Sequence, residues 1–212
     1  ISFGSATGNI LSVNGTLTSS GIISQNLPST AGNVSTQITG MGSISCSAIN
    51  FGTDDTTPTS KGTNTTTRKS NVTQLTVWGL ITVNSASAAS KLNNAVFDVA
   101  NDNGSCTIIA GGIIASNFNP VTGGTSSFLL DNISAGATKL KLTGTIPVTI
   151  GTNGKVDFYA TGSGSSTVEY AGASAQAVAA SGTSTGLDAT PAIYQNLSFS
   201  GAGVKKLASG SL

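Results

Sequence analysis

Short runs in which Val, Ile, Leu and Phe alternate with Thr, Ser and Asn recur along the whole chain, and glycine breaks most of them. Ile10-Leu11-Ser12-Val13 leads into Asn14-Gly15 and then Thr16-Leu17-Thr18. Thr107-Ile108-Ile109-Ala110 meets Gly111-Gly112 and then Ile113-Ile114-Ala115, and Lys139-Leu140-Lys141-Leu142 is followed by Gly144 and Ile146-Pro147-Val148. Alternation at period 2 puts the apolar side chains on one side of an extended strand and the hydroxyls on the other. A helix needs apolar residues every third or fourth position, and no such period is sustained. The one candidate, Ala86 to Ala95 (ASAASKLNNA), reads as a short helical turn before Val96-Phe97-Asp98-Val99. The pattern therefore predicts an all-β chain.

Two all-β architectures fit. The units run strand, glycine, strand and then a Ser/Gly/Asn turn, with a loose recurrence of roughly twenty residues, as in a solenoid. A parallel β-helix buries small aliphatics and satisfies its backbone through the coils above and below, which suits a chain poor in aromatics and charges. This is the expected fold, over residues 1–212 as a single domain. The rival is an antiparallel β-sandwich with Greek-key topology, because Asn14-Gly15 and Asn153-Gly154 are two-residue hairpin signals. Residues 44–132 are less repetitive and are candidates for a sandwich-like insert. Gly52 to Ser70 and Ala179 to Pro191 are nearly bare of apolar side chains and read as exposed loops.

Charged residues make up only 8% of the chain and the net charge is +1. Nucleic acid and anionic membranes need a basic footprint, so neither is an expected partner. Lys61, Arg68 and Lys69 form the nearest basic cluster and read as a solvated loop. No apolar run reaches the roughly 20 residues of a membrane-spanning helix. The chain has no histidine, which removes Ser-His-Asp chemistry and the commonest zinc ligand. Its carboxylates, Asp54, Asp55, Asp98, Asp102, Asp131, Asp157, Glu169 and Asp188, come without the Arg and aromatic subsites of a polysaccharide-cleaving site. No enzyme activity, and no cofactor, is expected. Calcium is the most reasonable metal, at Asp98, Asn101, Asp102 and Asn103 or at Asp54 and Asp55, although neither group has EF-hand spacing. The glycine pairs lack a following helix or Lys-Ser/Thr, so phosphate binding is not expected. Trp78 and Tyr194 read as core or edge packing.

Cys46 and Cys106 each sit among strand-forming residues. In an exported protein such a pair forms one disulfide, closing a long loop. The start at Ile1 rather than Met reads as a processed end with a signal already removed.

Near the C-terminus Ser166-Thr-Val-Glu-Tyr170-Ala-Gly172 runs into Gln176-Ala-Val178, and Ile193-Tyr194-Gln195-Asn196-Leu197-Ser198-Phe199-Ser200-Gly201 runs into Gly203-Val204-Lys205-Lys206-Leu207. Over residues 150–212 this resembles a repeat of large secreted surface proteins of the Bacteroidota, in which a Val-x-Tyr-x-Gly strand and a Gln-x-Val strand precede a Tyr-x-Asn-Leu strand and a Ser-Gly-x-Gly-x-Lys-x-Leu turn. The resemblance implies β-solenoid coils, an extracellular or cell-surface location and an adhesive or structural role. It brings no catalytic or metal residues. Independently of it, Val168 and Tyr170 share a strand face, as do Leu197 and Phe199, and Gln176 and Asn196 are candidates for amides stacked at coil turns.

In the family the Lys-x-Leu turn leads into another strand, whereas here the sequence stops at Leu212. An open coil presents unpaired N–H and C=O groups, a template for a further strand. The expected function is head-to-tail self-assembly into an extracellular fibre, the start of one copy completing the end of the next. The residues expected to carry it are Ile1, Phe3, Ile10, Leu11, Val13 and Leu17 at one end and Leu197, Phe199, Leu207 and Leu212 at the other. The alternative is a surface module that binds glycan or ice through outward Thr and Ser, with a surface glycan as partner.

Overall fold

A computed structural model of the chain describes residues 1–3, 8–25, 34–52, 62–68, 73–85, 87–88, 91–98, 105–117, 126–130, 136–151, 154–158, 163–179 and 193–207. These residues contain strands and no helix, and the strands, numbered in chain order, stack into a parallel β-solenoid with three faces. The first face is built from β2 (Asn9–Ser12), β5 (Val34–Thr39), β8 (Gly62–Arg68), β11 (Lys91–Asp98), β13 (Ser126–Leu129), β16 (Gly154–Phe158) and β19 (Ile193–Tyr194). The second contains β3 (Thr16–Thr18), β6 (Ser43–Cys46), the first half of β9 (Gln74–Ser85), the first half of β12 (Cys106–Asn117), β14 (Ala137–Leu142), β17 (Ser165–Tyr170) and β20 (Asn196–Phe199). The third contains β1 (Ser2–Phe3), β4 (Ile22–Gln25), β7 (Ala48–Gly52), the second halves of β9 and β12, and β15 (Val148–Ile150). Beyond it β18 (Gln176–Val178) pairs with β21 (Lys205–Leu207). The one antiparallel pair among the described residues is β10 (Ser87–Ala88) with β11.

Parallel stacking converts the alternation of each strand into columns running through the core. On the second face Leu17, Ile44, Leu75, Ile108, Leu140, Val168 and Leu197 are successive register partners, seven rungs in all. The spacing along this column is 27 to 33 residues, longer than the recurrence read from the sequence, because one coil carries three strands and their connections. Ile23, Ile49, Ile81, Ile113 and Val148 form the matching column of the third face. Between the terminal rungs each inner Ile or Leu of these columns is fully buried and contributes roughly 1.5–3 kcal/mol by leaving water. Aromatic rings fill the space between faces. Phe51 stacks on Phe97 at 5.0 Å, Phe97 meets Phe128 tilted at 5.5 Å, Phe128 meets Phe158 edge to face at 6.1 Å and Phe158 meets Tyr194 tilted at 5.3 Å.

The corner between the second and third faces is a glycine column. A Cβ on Gly111 would lie 2.6 Å from the Gly79 carbonyl oxygen, and one on Gly144 would lie 2.2 Å from the Gly111 carbonyl oxygen. Successive coils approach there to a distance that only glycine permits.

The structure corrects several sequence expectations. Asn14-Gly15 is no hairpin: β2 pairs with β5 and β3 with β6, both parallel, so the dipeptide turns a corner within one coil. In the expected helical turn Ala86 to Ala95, the described residues are strand: Ser87–Ala88 is β10 and Lys91–Asp98 is held between β8 and β13, and pairing on both sides overrides weak helical preference. Within the expected loop Gly52 to Ser70, Gly62–Arg68 is strand β8, paired to β5 and β11. The described strands within residues 44–132, up to β13, continue the same sheets, so no sandwich-like insert appears among them.

Cys46 and Cys106 form no disulfide; both are buried thiols. Strand β9 lies between β6 and β12, which puts the two cysteines two rungs, or about 9–10 Å, apart across the strands. Cys46 is in line with Val77 and, through it, with Ala110, four positions further along β12 than Cys106. A disulfide spans at most about 6.8 Å between Cα atoms. Burial pushes the Cys46 thiol up to about 11, which suits a small apolar core residue rather than a reactive one.

Candidate functional site

The residues expected to mediate assembly fall at the two ends of the stack. In the first coil Ile1 and Ile10 are exposed, Phe3, Leu11 and Leu17 are half-buried and Val13 is buried. In the last coil Leu197 is half-buried while Phe199 and Leu207 are 49% and 53% exposed. Leu212 lies outside the described residues. One chain does not bring the two groups together, because they terminate opposite ends of the same columns. Ile10, out of phase with Leu11, lies on the outer surface of β2. Sequence reading missed Ile22 and Val204, which are exposed at the same two ends. The doublet Ile22-Ile23 carries a signal, since a strand can turn only one of two neighbours inward.

The last coils are joined by polar contacts that the repeat motif encodes. Gln176 donates from Nε2 to the Leu142 and Gly144 carbonyls at 3.1 and 2.7 Å, and its Oε1 accepts from the Gly172 N–H at 2.8 Å. Lys205, its register partner one coil on, donates from Nζ to the carbonyls of Gly172 and Gly203 at 2.9 and 2.8 Å. Gln-x-Val and Lys-x-Leu therefore do one job in consecutive coils, holding the corner carbonyls. Asn196, also expected at a turn, donates to the Ser166 carbonyl at 2.9 Å.

On the outer surface Lys139 Nζ lies 2.5 Å from Glu169 Oε2, and Ser200 Oγ donates to Oε1. Oε2 has no partner at hydrogen-bonding angle, so its pairing with Lys139 is ionic rather than directional. The Lys139 ammonium and then the Ser200 hydroxyl hold the Glu169 carboxyl below its ordinary range. These groups bind coil to coil.

Inside, the hydroxyls of Tyr170 and Tyr194 lie 2.6 Å apart; Tyr194 donates to the Ala179 carbonyl and Tyr170 accepts from the Ala179 N–H. Burial, above all, raises both phenols above the ordinary tyrosine range. A raised folded-state value leaves stability intact below the unfolded value of about 10 and removes it as pH climbs further. In a Tyr159→Phe background, tyrosinate absorbance is expected to appear only together with loss of the β-sheet circular dichroism signal. Ionisation of the pair in a folded chain would contradict the buried geometry.

Trp78 is not core: it is 57% exposed at the glycine corner. Beside it the corner is indented. Gly111 alone opposes Trp78 and Gly79 of the preceding coil, whereas residues 143–147 separate β14 from β15 in the following one. The indentation is a groove of about 310 Å³ lined by Gly79, Leu80, Gly111, Ile114, Gly144, Thr145, Ile146 and Thr149. Of the calcium candidates, Asp54, Asp55, Asn101, Asp102 and Asn103 lie outside the described residues, and only the backbone of Asp98, at the end of β11, is described.

These stacked parallel coils define the chain as a β-solenoid. Comparison with protein-family models, curated proteins and solved structures finds no match.

Proposed function

We propose that this chain is a structural or adhesive component of a bacterial cell surface, exported, without catalytic activity, and assembling head to tail into an extracellular fibre. The observation that supports it is the apolar surface left uncovered at the last described coil. Phe199 is half exposed where its register partner Tyr170 is fully buried, and Leu207 is 53% exposed where its partner Val178 is 1% exposed. One further parallel rung would bury both. The first coil offers such a rung, with Leu11 and Leu17 in the matching phase and exposed apolar Ile1 and Ile22 beside them. Contact between opposite ends is heterologous and does not close, so it propagates. The scarcity of charge and the Ser/Thr/Asn outer faces suit an extracellular location.

Electron microscopy and sedimentation of the purified chain test this reading. Filaments are expected with an axial repeat of roughly 34 Å per subunit, seven rungs at about 4.8 Å, and Phe199→Glu or Leu207→Glu should abolish them while leaving the circular dichroism spectrum unchanged. A single monomeric species at every concentration would sink the proposal.

A further inference from the structure

We infer that the outer surface around Trp78 is a binding platform for a neutral, extended polysaccharide. The first half of β9 turns Leu75 and Val77 inward, each 1% exposed, and leaves Gln74, Thr76 and Trp78 on the outside. Trp78 is the chain's one tryptophan, and among the described residues no other ring packs against it. Its neighbours in the adjoining coils are small. Ser47 lies on one side, where its carbonyl accepts from the Gly79 N–H at 2.7 Å, and Gly111 lies on the other, where a Cβ would come within 3.0 Å of the Trp78 carbonyl oxygen. No bulky side chain from either adjoining position can shield the indole.

Parallel register lays hydroxyl and amide side chains beside it in rows. Thr16, Ser43, Gln74 and Thr107 are successive partners, as are Thr18, Ser45 and Thr76, whose next partner is the outward Ile109. The rows are spaced by about 4.8 Å, the separation of strands. An exposed indole among uncharged donors and acceptors calls for a ligand with apolar faces and a hydroxyl rim. A pyranose ring has both: its C–H face stacks on the indole, and its hydroxyls meet the Thr, Ser and Gln groups. An apolar peptide segment would strip water from these hydroxyls without pairing them. An acidic polymer needs free cations, and the lysines of this face, Lys141 and Lys139, stand two coils from Trp78 beside Glu169, which is the register partner of Lys141 and the ion-pair partner of Lys139.

The single tryptophan makes the test direct. The chain is titrated with soluble forms of cellulose, mixed-linkage glucan, mannan, chitin oligosaccharide and dextran, with alginate as the acidic contrast. At least one neutral polymer is expected to shift the emission to the blue and to saturate. Trp78→Ala should weaken binding of that polymer at least tenfold, measured by affinity electrophoresis, while Trp78→Phe, which keeps a stacking ring, should lose less. Neither variant is expected to change the melting temperature, since the side chain lies outside the core. Binding to alginate alone, no binding by any neutral polymer, or full binding by Trp78→Ala would overturn the inference. Sedimentation of the same samples scores filament formation separately, so the platform and the fibre stand or fall independently.

Discussion

Replacing Phe128 with alanine is expected to destabilise the solenoid by about 4 kcal/mol, within the 3–5 kcal/mol of buried Phe→Ala changes. Phe128 is fully buried and lies in the ring column between Phe97 at 5.5 Å and Phe158 at 6.1 Å. Truncation loses the transfer energy of the ring and leaves a cavity that the neighbouring rings cannot fill, because each is held by its own strand in a fixed register. The expected fall in melting temperature is about 8–16 °C for a chain of this size. Phe128→Leu retains most of the volume and should cost less than about 1.5 kcal/mol. Thermal and urea unfolding followed by circular dichroism check both. Equal losses for the two variants would show that ring-to-ring contact rather than volume carries the column.

The second large effect belongs to Gln176. Gln176→Leu preserves bulk but deprives the Gly144 carbonyl and the Gly172 N–H of their side-chain partner at the corner, while the Leu142 carbonyl loses one of two bonds and keeps the Ala171 N–H at 2.8 Å. A buried backbone group left unpaired costs about 1–3 kcal/mol. The Gly144 carbonyl is only partly buried and recovers some of this from water, so about 2 kcal/mol in all is expected. The informative companion is Gln176→Lys. Lys205 already holds two corner carbonyls from the equivalent place one coil later. A lysine at 176 should therefore restore the two donated bonds and lose only the one accepted from Gly172, leaving a deficit of about 1 kcal/mol. A lysine variant as unstable as the leucine one would show that the amide matters for its shape and not for its donors.

Phe128 and Gln176 also differ in how far sequence reveals them. The spacing shared by Val168, Tyr170, Gln176 and Val178 with Leu197, Phe199, Lys205 and Leu207 is visible by eye, and the structure stacks these residues in that register. The corner role of Gln176 was therefore readable. Phe128 carried no such mark, because its partners Phe97 and Phe158 sit in segments with unlike neighbours. Trp78 is a case in which alternation alone gives the orientation: in Leu75-Thr76-Val77-Trp78-Gly79-Leu80-Ile81 it turns Leu75, Val77 and Ile81 inward and leaves Trp78 outside.

Sequence alone determined the strand character of the chain and, for most strands, which residues face inward. Both follow from period-2 alternation, which is a local property of each segment. It could not determine the partner of any strand, since alternation is the same in parallel and antiparallel sheets. Tertiary stacking decided that Asn14-Gly15 turns a corner instead of a hairpin, that apolar-poor Gly62–Arg68 is a strand held by its neighbours, and that a whole rung separates Cys46 from Cys106. Each of these depends on backbone groups some thirty residues away in the chain, where hydrogen bonds between coils override local preference.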